Sequence, residues 1–309
     1  MKIKPNIFLY TIAGIIFFIF WMIVVFPYEA LQSRVITEIE NRIGDNYKLE
    51  MEDADLSLFG SVTLENLVLT EILGDQENLL LKTPKFKLGF SPFIFLSDKV
   101  DFTFFLKGKK KGDMEGAFKK ETDKTEIAVN INDYQVSDLD FLASKANVVL
   151  NGVLNGNVDL KLNQGDPKQS KGEIEIALSN LVLDPTKITL DPSDPASAME
   201  TPRIKLSGEK GSHITAKVNE GRLEVQSITL RGGDLELDLQ GRISLQGASP
   251  KDYRLDMDGS FKVSEALDKA LPFLFIIEQQ RNAQGFYPVK ISGRISKPAI
   301  RIGKFRVPI

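Results

Sequence analysis

The side chains able to do chemistry are few and scattered. His213 is the single histidine of the 309-residue chain, set in Gly211-Ser212-His213-Ile214-Thr215. A general base needs a nucleophile and an orienting acid beside it, and a metal centre needs further ligands. His213 brings no such partners and reads as an exposed polar residue in a turn or at a strand start. Cysteine is absent, which removes thiolate catalysis, disulfides and sulfur-ligated zinc and is compatible with an oxidising compartment. Glu52, Asp53 and Asp55 would serve as an acid pair or a calcium ligand set, but no loop has the D-x-D-x-D-G spacing of a calcium site, and they read as a solvated edge. The aspartates of Asp184-Pro185, Asp191-Pro192 and Asp194-Pro195 are turn formers, since Asp closes Asx-turns. Lys107, Lys109, Lys110 and Lys111 would meet anionic lipid head groups or an acidic partner, although a solvated hairpin tip is the simpler reading. No catalytic residue, cofactor or metal is therefore expected, and the chain reads as a non-enzyme. A formal net charge of -3 with dispersed basic residues gives no electrostatic footprint for nucleic acid.

The elements that would position these residues begin with an uncharged stretch, residues 7–26, IFLYTIAGIIFFIFWMIVVF. About 20 residues at 1.5 Å rise cover the roughly 30 Å hydrocarbon core of a bilayer. Ile7, Phe8, Ile15, Ile16, Phe17, Phe18, Phe20, Val24 and Phe26 supply the apolar surface of the expected anchor, with Trp21 near the outer interface. A cleaved signal would be shorter and end at small residues, whereas this stretch ends Phe26-Pro27-Tyr28-Glu29. Lys2 and Lys4 precede it, so residues 1–6 are expected on the cytoplasmic side and the bulk outside. Residues 27–46 then form a connecting segment in which Leu31, Val35, Ile36, Ile39 and Ile43 line one helical stripe, ending at Gly44. That helix reads as a cap on the end of a sheet.

From Tyr47 the hydrophobic period drops from 3.6 to 2. Leu235, Leu237, Leu239, Ile243 and Leu245 alternate with polar residues, with Gly241 the one gap. Pro84, Phe86, Leu88 and Phe90 alternate likewise, as do Tyr253, Leu255 and Met257. Each run has one apolar and one polar face. A pattern of apolar, any, apolar, two polar, apolar, any, apolar occurs at 62–69, 129–136, 176–183 and 223–230. Two polar residues where alternation allows one would flip the apolar set, so each site predicts a β-bulge and a strongly twisted or curved sheet. Gly108 to Gly112, Asn151-Gly152, Asn155-Gly156 and Arg231-Gly232-Gly233 read as turns. The stretch from Asp184 to Pro202 reads as a long polar loop and a possible subdivision. Short helices are expected at Ser91 to Leu96, Ser137 to Ala146, and Val263 to Asn282 with a break at Pro272. The apolar faces must oppose one another as a closed sandwich or line a groove. Roughly 15 strands about 4.8 Å apart would advance about 70 Å.

The order of these features resembles a known family. The anchor, the amphipathic helix and Tyr47-Lys-Leu-Glu-Met-Glu-Asp-Ala-Asp-Leu-Ser-Leu-Phe-Gly-Ser-Val-Thr-Leu-Glu-Asn-Leu-Val-Leu69 look like the amino-terminal region of AsmA-like proteins. So does Phe86-Lys-Leu-Gly-Phe-Ser-Pro-Phe-Ile-Phe-Leu96. The tail Val289-Lys-Ile-Ser-Gly-Arg-Ile-Ser-Lys-Pro-Ala-Ile300 resembles the closing strand of that family. Length and Gly233-Asp-Leu-Glu-Leu-Asp-Leu-Gln-Gly-Arg-Ile243 match best the type II secretion system protein N branch of the AsmA-like, TamB-like superfamily. The resemblance implies a mainly β chain with an amino-terminal transmembrane helix. Residues 47–309 would form a periplasmic domain, a long curved antiparallel sheet folded over an apolar groove. Val62, Leu64, Phe86, Leu88, Phe90, Leu235, Leu237, Leu239, Ile243 and Leu245 are the expected groove-lining residues. The implied function is that of an inner-membrane-anchored component of a type II secretion system, acting in assembly or envelope bridging with secretion-system subunits or other envelope proteins. The alternative is a lipid-binding or lipid-transfer protein whose groove shields phospholipid acyl chains, worth about 0.8 kcal/mol per buried methylene.

Overall fold

The computed structural model describes residues 46–57, 60–74, 76–90, 99–189, 198–245 and 252–307. The expected span at 7–26, the amphipathic helix before Gly44 and the short helix at Ser91 to Leu96 lie outside those residues. Among the described residues no helix is long and apolar enough to cross a membrane. Lys48–Ile309 forms one compact unit.

That unit is built on an open antiparallel sheet of 17 strands, with a separate two-stranded ribbon beside it. The first half of the sheet comprises β1 (Tyr47–Glu50), β2 (Asp53–Ser57), β3 (Ser61–Leu73), β4 (Gln76–Phe90), β5 (Val100–Lys107), β6 (Asp113–Glu121), β7 (Lys124–Gln135), β8 (Leu150–Asn163) and β9 (Lys171–Leu183). The ribbon is β10 (Lys187–Thr189) with β11 (Ala198–Glu200). The second half comprises β12 (Ile204–Lys205), β13 (Ser212–Asn219), β14 (Arg222–Leu230), β15 (Leu235–Ser244), β16 (Arg254–Val263), β17 (Tyr287–Arg294), β18 (Lys297–Ile302) and β19 (Phe305–Arg306). From β2 to β9 each strand pairs with the next in sequence, and β13 to β19 do the same. The halves join where Lys171–Leu178 of β9 pairs with β13 and Val182 and Leu183 pair with β12. The joint is tied by Ser207, fully buried, whose hydroxyl accepts the Leu181 amide at 2.9 Å.

Two expectations need correction. The stretch at 184–202 is not simply a loop, because its flanks meet as the β10–β11 ribbon, with Thr201 and Thr186 exchanging backbone and hydroxyl bonds. Asn151-Gly152 and Asn155-Gly156 are not turns; both lie inside β8. Their glycines face bulges on the flanking strands, a role that needs the same backbone freedom as a turn. The Lys-rich hairpin and Arg231-Gly232-Gly233 do connect strands, β5 to β6 and β14 to β15.

The double-polar pattern has the expected effect. Registers slip between Ile131 and Tyr134 in β7, between Asn151 and Val153 of β8 opposite Val182 and Ser179 of β9, and between Val225 and Ile228 in β14. Asn66, Asp133 and Asn180 all take left-handed backbone, φ 51°, 45° and 51°, which asparagine and aspartate tolerate better than other side-chain-bearing residues. At Asn66 the pairing does not slip. The partner strand jogs at the same level: Glu65 stands opposite Lys85 and Leu67 opposite Thr83, with Pro84 between, unable to donate to the ladder. The Thr83 hydroxyl, buried there, bonds Lys107 O at 2.6 Å and Lys85 O at 3.0 Å.

Helices are few, and apart from the 3-10 turn Pro167–Gln169 between β8 and β9 the described ones sit at one end of the strands. A 3-10 turn (Val136–Asp138) leads into α1 (Asp140–Ala146), closed by Asn147 at φ 51°. The second group is α2 (Glu265–Ala270), whose N-cap Ser264 accepts the Leu267 amide at 3.2 Å, followed by 3-10 turns at Pro272–Ile276 and Glu278–Gln280. The break falls at Pro272, which cannot continue a preceding helix.

Candidate functional site

Because antiparallel registers place partners on the same face, side chains can be followed across the sheet. One lateral row runs Val62, Leu88, Phe104, Gly116, Val129, Val158, Ile174 and then, past the joint, Ala216, Val225, Gly241, Met257, Ile291 and Ile300. Every member is apolar or glycine. The next row toward the helical end starts at Leu64 and Phe86 and passes through Leu106, Ile131, Ile176, Ile214, Ile228 and Leu239 to Val289, Ile302 and Phe305. On the other side, Phe90, Phe102, Phe118, Ile127 and Leu160 lead to Val218, Leu223, Ile243 and Leu255. The sheet therefore carries an unbroken apolar face, with bulges keeping each strand's greasy set on it despite the polar insertions.

Glycines on this face let neighbouring backbones close in. Gly156 adopts φ +154°, and a Cβ there would lie 2.0 Å from the Glu175 carbonyl oxygen. Gly116 is roofed by the Phe104 ring, 2.7 Å from where its Cβ would be. Glycine kinks and bulges of this kind let a sheet coil. On this apolar face Ala216, Val225 and Met257 are buried and, among the described residues, pack against half-buried strand neighbours such as Ile174, Leu239 and Ile291.

The two ends of this apolar face differ. At the helical end, Val136, Leu139 and Leu142 pack on Leu178, Leu181 and Leu230, while Leu267, Leu271, Leu274 and Ile277 pack on Ile204 and Tyr287. The first plug is held by polar staples. Asp138, only 2 % exposed, accepts the Lys109 amide at 2.7 Å. Asp140 accepts the Lys82 amide at 2.7 Å and the Lys109 ammonium at 2.5 Å, and Lys145 pairs with Glu71. The second is held by Arg281, which donates to the Tyr287 hydroxyl at 2.8 Å and to Asp268 at 3.0 Å, while the Tyr287 ring stacks on Phe261. At the opposite end the one helical piece among the described residues is the short 3-10 turn Pro167–Gln169, which buries none of its residues, and Phe102, Phe118, Ile127, Leu160 and Leu255 are only half-buried. Phe102 and Phe118 stack there at 5.1 Å.

The ten sequence-predicted lining residues can now be placed. Val62 and Leu64, 2 % and 3 % exposed, form the floor rather than an accessible lining. Phe86, Leu88, Phe90, Leu235, Leu237, Leu239 and Ile243 are half-buried on the same face, and Leu245 follows the end of β15. Phe86 joins the Leu106, Ile131 and Tyr134 cluster, and Leu235 and Leu237 join the cluster under the first plug. Sequence reasoning missed Phe102, Phe118, Ile174 and Leu223, whose alternation was equally legible, and it missed the aspartate staples, whose partners are distant in sequence.

The chemistry-bearing residues do not assemble. His213 is the second residue of β13, half-buried between Ala177 and Thr229. Glu52 accepts from Asn66, and Asp53 from the Ala54 amide at 2.8 Å. Among the described residues no group of acidic or histidine side chains has metal-binding geometry. Of the lysine tip, Lys109 is held by Asp140 and Lys111 by Asp133 at 2.9 Å. Lys111, with Asn155, keeps the Asp133 carboxyl below the usual carboxylate range. Tyr134, fully buried, has a hydroxyl with no partner among the described residues, and burial, with Asp138 and Asp140 nearby, pushes its pKa up to about 12.

Comparison with family models, with curated proteins and with solved structures finds no match to the chain.

Proposed function

We propose that the chain is a non-enzymatic, membrane-anchored protein whose β domain shelters phospholipid acyl chains in its trough, in the manner implied by the AsmA-like resemblance. The observation that carries this is the unbroken apolar face which, among the described residues, is packed by helices at one end and only half-buried by its own strands at the other. An exposed apolar surface of this extent is costly in water unless something apolar covers it. A trough that only held the fold together would be sealed at both ends. The anchor at 7–26 would place the domain at an inner membrane with its bulk in the periplasm.

The test is native mass spectrometry of the full chain after gentle extraction, comparing wild type with a Leu160→Asp/Ile243→Asp variant. Phospholipid is expected to co-purify with the wild type and to be lost from the variant. Lipid-free wild-type protein, or equal retention by both, would count against the proposal.

One feature favours a second reading, a component of a type II secretion system that docks other envelope proteins. β19 covers only Arg301 and Ile302 of β18, so the remaining length of that strand has little pairing from its outer side among the described residues. An uncovered edge of this kind accepts a partner strand. Stable protein partners without lipid in the same experiment would favour this reading.

A further inference from the structure

On the polar face, at the end of the strands away from the plugs, charges are arranged against their own electrostatics. The registers put Arg222 opposite Ser244, Ser244 opposite Arg254, Arg254 opposite Arg294, and Arg294 opposite Lys297. Three cations thus stand side by side on β16, β17 and β18, an arrangement that destabilises a sheet when nothing intervenes. Other like-charge neighbours on this face come in twos, as Lys85 opposite Lys107 and Lys161 opposite Lys171, and opposite charges pair at Asp101 with Lys119 at 3.6 Å and Glu173 with Lys217 at 2.9 Å. Compensation within the cluster is thin. Asp256 is shared by Arg242 at 3.1 Å and Lys290 at 3.6 Å, Asp252 reaches Arg294 only at 3.7 Å, and Glu224 stands opposite Arg242 without an ion pair. Among the described residues no carboxylate pairs with Arg222, Arg254 or Lys297.

The arginines of this cluster border a hollow of about 620 Å³. Arg222, Arg242, Arg254 and Arg294 line it together with Ser244, Ser292 and Asp256, and Leu255 and Gly293 complete the lining. We propose that this hollow on the polar face of β14 to β17 binds a phosphate-bearing group. A planar guanidinium presents a donor fork that matches phosphate oxygens, and several forks converging from different strands suit a tetrahedral anion better than a carboxylate, which one fork satisfies. Serine hydroxyls in the lining add donors of the right reach. The arginines lie on the opposite face from the apolar rows, with Leu255 of those rows reaching the same hollow at the end of the strands. The phosphate is either free or the head group of an anionic lipid.

The experiment uses the full chain in nanodiscs of phosphatidylcholine. Inorganic phosphate is titrated calorimetrically, and association is measured with vesicles of phosphatidylglycerol and phosphatidylcholine in equal parts. The comparison proteins are Arg254→Gln/Arg294→Gln, Arg222→Gln and the control Lys119→Gln/Lys161→Gln. Phosphate binding that weakens about tenfold in the double arginine variant, as expected for loss of charge-assisted contacts, supports the site with free phosphate as ligand. Vesicle association that the same variant loses, and that inorganic phosphate competes away, supports it with the lipid head group as ligand. Binding of neither, equal binding by the arginine variant, or equal loss in the lysine control overturns it. The double variant is expected to melt no lower than wild type without phosphate, because it relieves the like-charge neighbours; if it melts lower, Arg222→Gln, at the edge of the row, is the deciding variant, and unchanged binding by it overturns the site.

Discussion

Replacing Asp138 by alanine is expected to loosen the plugged end of the trough while leaving the sheet intact. The carboxylate is 2 % exposed and accepts the Lys109 amide at 2.7 Å. Removing it leaves a backbone donor in the β5–β6 turn without a partner, and bonds to a charged acceptor are worth about 1.5–3 kcal/mol. Asp140 still grips the Lys109 side chain, so the turn does not detach, and a local loss of about 2 kcal/mol is the expected size. Amide hydrogen exchange on the full chain reads this directly, because local opening free energies set exchange rates. The Lys109 amide should exchange about 30-fold faster, since each 1.4 kcal/mol is a factor of ten. Asp138→Asn keeps an acceptor without charge and should show about a fivefold change, roughly 1 kcal/mol. Combining Asp138→Ala with Asp140→Ala should exceed the sum of the single effects, because both side chains hold one turn. An Asp138→Ala effect below twofold at Lys109, or an equal acceleration at Met257 in the middle of the trough, would refute the staple.

Tyr134 makes a second case. Its hydroxyl is buried without a partner and its pKa is raised from 10.0 to about 12. A raised folded-state value means stability is complete below pH 10 and falls as pH rises from 10 through 12. Tyr134→Phe should be neutral or stabilising by about 1 kcal/mol, and should flatten that alkaline limb in melts taken as a function of pH. Gly156→Ala should lower the unfolding free energy read from denaturant titration by about 3 kcal/mol or more, combining backbone strain of about 1–3 kcal/mol with a clash against β9. Gly74→Ala is its control: φ is +62° but nothing lies within 4 Å of the added Cβ, so about 1 kcal/mol is expected there. Equal costs at the two glycines would remove the close strand approach as the cause.

Strand alternation was legible because a half-buried strand writes its faces into every second residue, as in Leu235 to Ile243. The bulges were legible at Asp133, Asn180 and Ser227 because two polar residues interrupt an apolar beat that resumes afterwards. At Asn66 the same signal describes two strands jogging together, and only the pairing of Pro84 opposite it reveals that. Asn155-Gly156 misled because a bulge partner and a turn ask for the same residues. The strand total exceeded the roughly 15 expected from strand spacing arguments because short pieces such as Ile204–Lys205 and Phe305–Arg306 carry no periodicity of their own. The arginine row was not legible at all, since Arg222, Arg254 and Arg294 are far apart in sequence and become neighbours only through register.

The succession of pairings, each strand on its predecessor, also bears on how the chain reaches its native state. Nearly every ladder closes a short loop, and such local contacts lower the entropic barrier to folding. Strands can add in the order in which they emerge, each new hairpin finding a ready template, as in solenoids where units contact only their neighbours. The exception is β9, which must find β13 across the β10–β11 excursion. That distant closure is a natural slow step: until it forms, the facing edges of β9 and β13 are unpaired, and the interval before it exposes the chain to misassembly.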